Sequence, residues 1–161
     1  MLIKSKVSLI IFFAVYVFTF NQNSFAEEFN ISATEISFDK SNNIVVGKGS
    51  VEVIDNEGKL ITADKVIYEK TKEFLTIEGS VKIIDNEGST INTDKATYDK
   101  IKDIITTFSN SELILKEGYF IKSNKIEYNN IKKIINSDQN SILTDSEGNI
   151  VNVNMFQYYL E

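Results

Sequence analysis

The chain has 161 residues, a net charge of −6 from 17 basic and 23 acidic side chains, and no His, Cys, Trp or Pro. Every basic residue is Lys. That inventory removes disulfide frameworks, thiolate nucleophiles, Cys/His metal sites and Ser-His-Asp catalysis. An acidic chain without Arg is also poorly suited to nucleic-acid backbones, so no nucleic-acid partner is expected.

The N-terminus carries Lys4 and Lys6, then an apolar run from Val7 to Phe20, then the small residues Ser24 and Ala26. A basic start, a short apolar stretch and a small-x-small site make residues 1–26 a secretory signal peptide, with cleavage expected after Ala26. The alternative is a retained N-terminal anchor, although a membrane-crossing helix asks for about 20 apolar residues.

From there the sequence repeats every 30 residues without insertion. Val-x-x-Ile-Asp-Asn-Glu-Gly occurs at Val51–Gly58 and again at Val81–Gly88. Gly58, Gly88, Gly118 and Gly148 share a column, as do Tyr68, Tyr98, Tyr128 and Tyr158. A fixed period of this length signals a repeat architecture. Alternating apolar residues, frequent β-branched side chains and recurrent turn signals make the repeat unit a pair of strands. Strands are predicted near 31–40, 43–55, 59–70, 73–85, 89–100, 103–115, 119–130, 133–145 and 149–160. Asp55-Asn56-Glu57-Gly58 and its copies read as hairpin turns, with Gly in the left-handed position.

The strands are expected to bend midway. In 59–70 the apolar column steps by three across Asp64-Lys65, and 73–85 carries Glu78-Gly79 at its centre. Both features mark bulges or corners. Bent antiparallel strands fold into a V or open sandwich with facing apolar walls. About nine strands at about 4.8 Å spacing would give a seam roughly 40 Å long.

The predicted inner wall consists of rows. One is Ile61, Ile91, Ile121 and Val151; the next is Val66, Ala96, Ile126 and Phe156; the third is the Tyr68, Tyr98, Tyr128 and Tyr158 column. The other strand type supplies Val53, Ile83, Leu113 and Leu143, with Val45, Leu75, Ile105 and Ile135. Two readings stay open: a closed sandwich core, or a trough that takes the apolar part of a lipid. The first and last strands are expected to be unpaired edges. The repeat stops halfway at Glu161, which suits either a pairing partner or a longer chain.

The run Ile36-Ser37-Phe38-Asp39, Gly47-Lys48-Gly49-Ser50-Val51 and Ile61-Thr62-Ala63-Asp64-Lys65-Val66-Ile67-Tyr68 resembles the OstA-like (organic solvent tolerance-like) domain family of lipopolysaccharide transport. The resemblance spans about residues 30 to 160. Gly148–Tyr158 is most similar to the N-terminal periplasmic domain of the assembly protein LptD, with LptA the other candidate. It implies an all-β open β-jellyroll, or β-taco, whose interior holds lipid A acyl chains. It also implies edge-to-edge pairing with similar jellyroll domains and a place in the periplasm beside the outer membrane. No cofactor, metal or enzymatic activity is expected. Calcium-binding turns and a carboxylate-pair glycosidase suit the sequence less well than plain hairpins. An exported structural or glycan-binding repeat, with the Tyr column stacking on sugars, is the alternative.

Overall fold

The computed structural model describes residues 29–160. The predicted signal peptide lies outside the described residues. The strands are β1 (Phe29–Ser32), β2 (Glu35–Asp39), β3 (Ile44–Asp55), β4 (Leu60–Glu69), β5 (Phe74–Ile84), β6 (Thr90–Asp99) and β7 (Ile104–Phe108). They continue with β8 (Ser111–Ile114), β9 (Phe120–Ser123), β10 (Glu127–Asn129), β11 (Ile134–Ser137), β12 (Ser141–Thr144), β13 (Ile150–Val153) and β14 (Phe156–Tyr159). Among the described residues, everything regular apart from a 3-10 turn at Lys70–Lys72 is strand, paired antiparallel with its neighbours.

The ladder is folded along its middle into two wings. One wing runs through β1, Val51–Asp55, the start of β4, the end of β5, the start of β6, then β8, β9, β12 and β13. The other runs through β2, Ile44–Lys48, the end of β4, the start of β5, the end of β6, then β7, β10, β11 and β14. This is the open V of bent antiparallel strands expected from the repeat, and the all-β open jellyroll that the resemblance implies.

The bends fall where the alternation breaks. The ladder slips between Lys48 and Val51, between Thr62 and Lys65, and between Glu78 and Val81. Left-handed pairs sit at Gly49-Ser50, Gly79-Ser80 and Ser109-Asn110, one repeat apart. Two residues leave the ladder on the strand with the left-handed pair and one on its partner, as with Gly49-Ser50 opposite Asp64 and Gly79-Ser80 opposite Asp94, and both halves keep the same inner face. The strands predicted as continuous over 103–115, 119–130, 133–145 and 149–160 are each divided in two at this line. Hydroxyls stand at the inner bend positions Thr93 of β6 and Ser111, Ser123 and Ser141 of the divided strands, where the earlier repeats have Val51, Ala63 and Val81; the last divided strand keeps Val153. Thr93 and Ser111 lie 3.2 Å apart, and Ser123 lies 3.0 Å from both Ser137 and Ser141.

Gly79 shows how tight this line is. Its φ is +79°, and an added Cβ would lie 2.3 Å from Asp64 Oδ2 and 2.8 Å from Asp64 Cβ. Gly58, in a hairpin turn at φ +88°, has nothing within 4 Å of that position. Gly79→Ala should therefore cost clearly more than Gly58→Ala, whose penalty of about 1 kcal/mol is purely conformational. Urea midpoints of the two variants check this; equal shifts would show that the bend relaxes freely.

The hairpin turns follow the predicted chemistry. Gly58 N–H donates to Asp55 O at 3.1 Å, and Asp55 Oδ1 accepts the N–H groups of Glu57 and Lys59, both at 2.9 Å. Asp85 and Asp145 do the same in their copies. At the opposite rim the turns stack on one another. Lys70 N–H bonds to Asn43 O, Lys100 N–H to Glu73 O, Asn130 N–H to Asp103 O and Leu160 N–H to Lys133 O.

Candidate functional site

The inner face carries the residues that the alternation predicts as the wall of a trough. Val53, Ile61, Val66, Ile83, Ile91, Ala96, Leu113, Ile121 and Ile126 are buried between the wings. Tyr68, Tyr98 and Tyr128 are buried as well, together with Leu75, Ile105 and Ile135. Ile44, Phe74, Ile104 and Ile134, which the alternation leaves ambiguous, lie on the other face; Phe74, Ile104 and Ile134 are less buried than Leu75, Ile105 and Ile135, whereas Ile44 and Val45 are both half-buried. Leu143, Phe156 and Tyr158 pack against the core but are only partly covered. Val151 is 55% exposed, although it shares a column with Ile61, Ile91 and Ile121, each at 2% or below. The same wall is thus sealed over the middle repeats and reaches solvent at β13–β14.

The long side of the fold opposite the bends differs from rung to rung. The column Phe29, Lys59, Ser89, Tyr119 on one wing faces the Tyr column on the other, offset by twist. At the first rung Phe29 meets Tyr68 edge-on at 4.9 Å and Tyr98 at 5.9 Å. At the fourth, Tyr119 meets Tyr158 at 5.6 Å. Beside that pair is a largely apolar cavity of about 220 Å³ lined by Tyr119, Ile121, Leu143, Val151 and Tyr158, among others.

The two middle rungs are polar. Lys59 Nζ donates to Tyr98 OH and to Asp103 Oδ1, both at 2.7 Å, and lies 4.1 Å from the Tyr98 ring centre. Lys100 Nζ donates to Glu57 Oε1 at 2.7 Å and to Asp55 Oδ2 at 3.2 Å. Tyr98 OH also lies 3.0 Å from Asp103 Oδ1 and 3.2 Å from Asp55 Oδ2. One repeat further on, Tyr128 OH donates to Asp85 Oδ2 at 3.2 Å and Lys133 Nζ to Glu87 Oε1 at 2.8 Å. These contacts cross from wing to wing and form a clasp. Lys59 is 3% exposed, Asp55 6% and Lys100 9%, unusual values for charged residues.

Burial and the neighbouring Asp103 and Asp55 carboxylates push the Tyr98 phenol far above its usual range; burial and Asp85 do the same for Tyr128. Burial works to raise Asp103, but the Lys59 ammonium and hydrogen bonds from Asn130 and Tyr98 outweigh it and hold the carboxyl low. Burial works to lower Lys100, but Glu57 and Asp55 outweigh it and raise the ammonium. A depressed folded-state carboxyl contributes stability above its unfolded value and loses it as pH falls through the folded one. With no His to titrate, the urea midpoint should be flat between about pH 5 and 8 and fall below about pH 4. Asp103→Asn should shallow that acid limb; an unchanged limb would place the acid sensitivity elsewhere.

The inner rows were readable from the sequence, whereas the clasp was not. Asp55 and Lys59 stand in a hairpin turn, and Lys100 and Asp103 in the opposite turn, where local pattern implies solvated charge. The available signal was the column itself, in which Lys59 replaces the aromatic residues of Phe29 and Tyr119.

No family model and no curated protein matches the sequence. Among solved structures, the chain is similar to LptH from Pseudomonas aeruginosa, described as the LptA homologous periplasmic component of the conserved lipopolysaccharide transport device. The TM-score is 0.63 at 15% identity, over 80% of this chain and 98% of that one. At that identity the likeness shows a shared fold, the jellyroll that the OstA-like resemblance implied.

Proposed function

We propose that this chain is a periplasmic component of lipopolysaccharide transport and outer-membrane assembly, holding lipid A acyl chains along its inner seam. The observation that carries the reading is the exposure of the inner column at β13–β14. Val151 stands open beside an apolar cavity continuous with a wall of buried Ile and Val. An exposed apolar surface backed by a cavity is where an acyl chain gains most from leaving water. At the other end Ile36 and Phe38, which pair with Gly47 and Val45 on the inner face, are 51% and 47% exposed. Both ends thus present apolar inner surface beside strands with one pairing neighbour each among the described residues. That combination suits edge-to-edge joining with similar domains, which would continue the seam. The fold shared with LptH supports the same reading.

The alternative is a structural or glycan-binding repeat using the Tyr column. Tyr98 and Tyr128 are buried, with their hydroxyls engaged in the clasp, which leaves those rings no free face for a sugar.

Photocrosslinking tests the proposal. A benzophenone side chain at Val151 or Ile91 should capture lipopolysaccharide, and one at the outward Lys95 should not. Equal capture from both faces would overturn the reading.

A further inference from the structure

The middle rungs pose a physical question. The first rung shows that aromatic residues close this column well, and the partly open fourth also carries an aromatic pair, yet the second uses two buried Lys and the carboxylates that hold them. Buried ion pairs are seldom more stabilising than apolar groups of the same size, because both charges give up their hydration. That loss is returned when the pair separates into water. An apolar seam has no such return: opening it only exposes apolar area. Charges at the rim therefore close the seam in a way that makes reopening less costly. The bend line on the opposite side is formed by Gly49-Ser50, Gly79-Ser80 and Ser109-Asn110, and holds the wings together as a hinge would. A polar recess of about 120 Å³ lies between the two clasp rungs, lined by Lys59, Asp85, Asp103, Tyr128 and Lys133 among others.

We infer that the clasp formed by Asp55, Lys59, Tyr98, Lys100 and Asp103, with Asp85–Tyr128 and Glu87–Lys133, is a lateral gate: the wings part there without unfolding and admit acyl chains sideways into the interior. This rests on the lipid-holding reading above and adds the route to it. In the closed state the cavity at Tyr119 and Tyr158 takes the first part of an acyl chain. Opening of the middle rungs exposes Ile83, Ile91 and Ala96 to the rest.

The chain has no Cys, so introduced thiols are the sole thiols present. Ala96→Cys places one on the inner wall, at a position fully buried in the closed state. Its labelling by N-ethylmaleimide is followed as urea is raised. A gate predicts labelling through a partial opening, with a urea slope well below that of global unfolding. Glu87→Cys and Lys133→Cys are then added and joined across the seam by a short bifunctional thiol reagent before labelling. The bridge should slow labelling at least about tenfold in the absence of urea. Labelling with the full global slope, or at a rate the bridge leaves unchanged, overturns the gate. Val66→Cys, also fully buried, supplies the same reading where Ala96→Cys disturbs folding. No lipid is used, so failure of the gate and failure of the lipid reading are seen separately.

Discussion

Tyr98→Ala should be among the most damaging single substitutions in this chain, with a loss of roughly 4 kcal/mol. The ring is fully buried and touches Phe29 edge-on at 5.9 Å, while Lys59 lies over its face. Removing it leaves a cavity between the wings and takes away a hydroxyl that accepts from Lys59 and lies beside two carboxylates. Tyr98→Phe separates the two parts. It keeps the packing and removes only the hydroxyl, at about 1–3 kcal/mol for unsatisfied charged partners. Val151→Ala, at the open end of the same wall, should change stability by less than about 0.5 kcal/mol. Urea denaturation of the three variants checks the order. A Tyr98→Ala loss no larger than that of Val151→Ala would mean that the middle rungs are not closed in solution.

Lys59→Ala is the second large effect. Breaking a buried ion pair by removing one partner costs about 3–5 kcal/mol, because the remaining charge stays buried. Here the loss should sit near the lower end, at about 3 kcal/mol, since Asp103 keeps Asn130 and Tyr98, and Asp55 keeps Lys100 and its own turn amides. The pairwise nature of the penalty gives a sharper version. Lys59→Met combined with Asp103→Leu removes both charges and should recover most of the lost stability. If the double variant is as unstable as Lys59→Ala, the ammonium contributes through packing rather than through its carboxylates. The same contrast bears on the gate: a clasp retained for separability is one that apolar residues can replace in stability but not in opening.

Much of this architecture is legible in the chain because its cause is local. The 30-residue period fixes the strands, Gly58 and its copies fix the hairpins, and the three-residue step at Asp64-Lys65 marks a bend that the ladder register shows. The inner rows follow from alternation once the bends are placed, which is why Ile61, Ile91 and Ile121 can be assigned to one column. Local pattern does not carry the division of the later strands at Ser109-Asn110, Asn124, Asn140 and Asn154, where the repeat predicts continuous strands. Nor does it carry the clasp, whose cross-wing partners are 39 to 46 residues apart and mostly close to 45, as in Tyr98–Asp55 and Lys100–Asp55. That spacing is one and a half repeats and arises only from the twist of one wing over the other. The contrast between Ile91 and Val151 has the same origin. Both occupy equivalent positions in the repeat, and only the number of neighbouring strands distinguishes sealed from open.

The central claim is that the apolar interior takes acyl chains. The most direct measurement is titration calorimetry of the protein with lipopolysaccharide and with the same molecule stripped of its acyl chains, over a range of temperatures. The account predicts saturable binding of the intact lipid with a negative heat-capacity change, the mark of apolar burial, and no measurable binding of the deacylated form. Equal affinity for the two forms would contradict it, and would assign the interaction to sugar or phosphate on the outer surface.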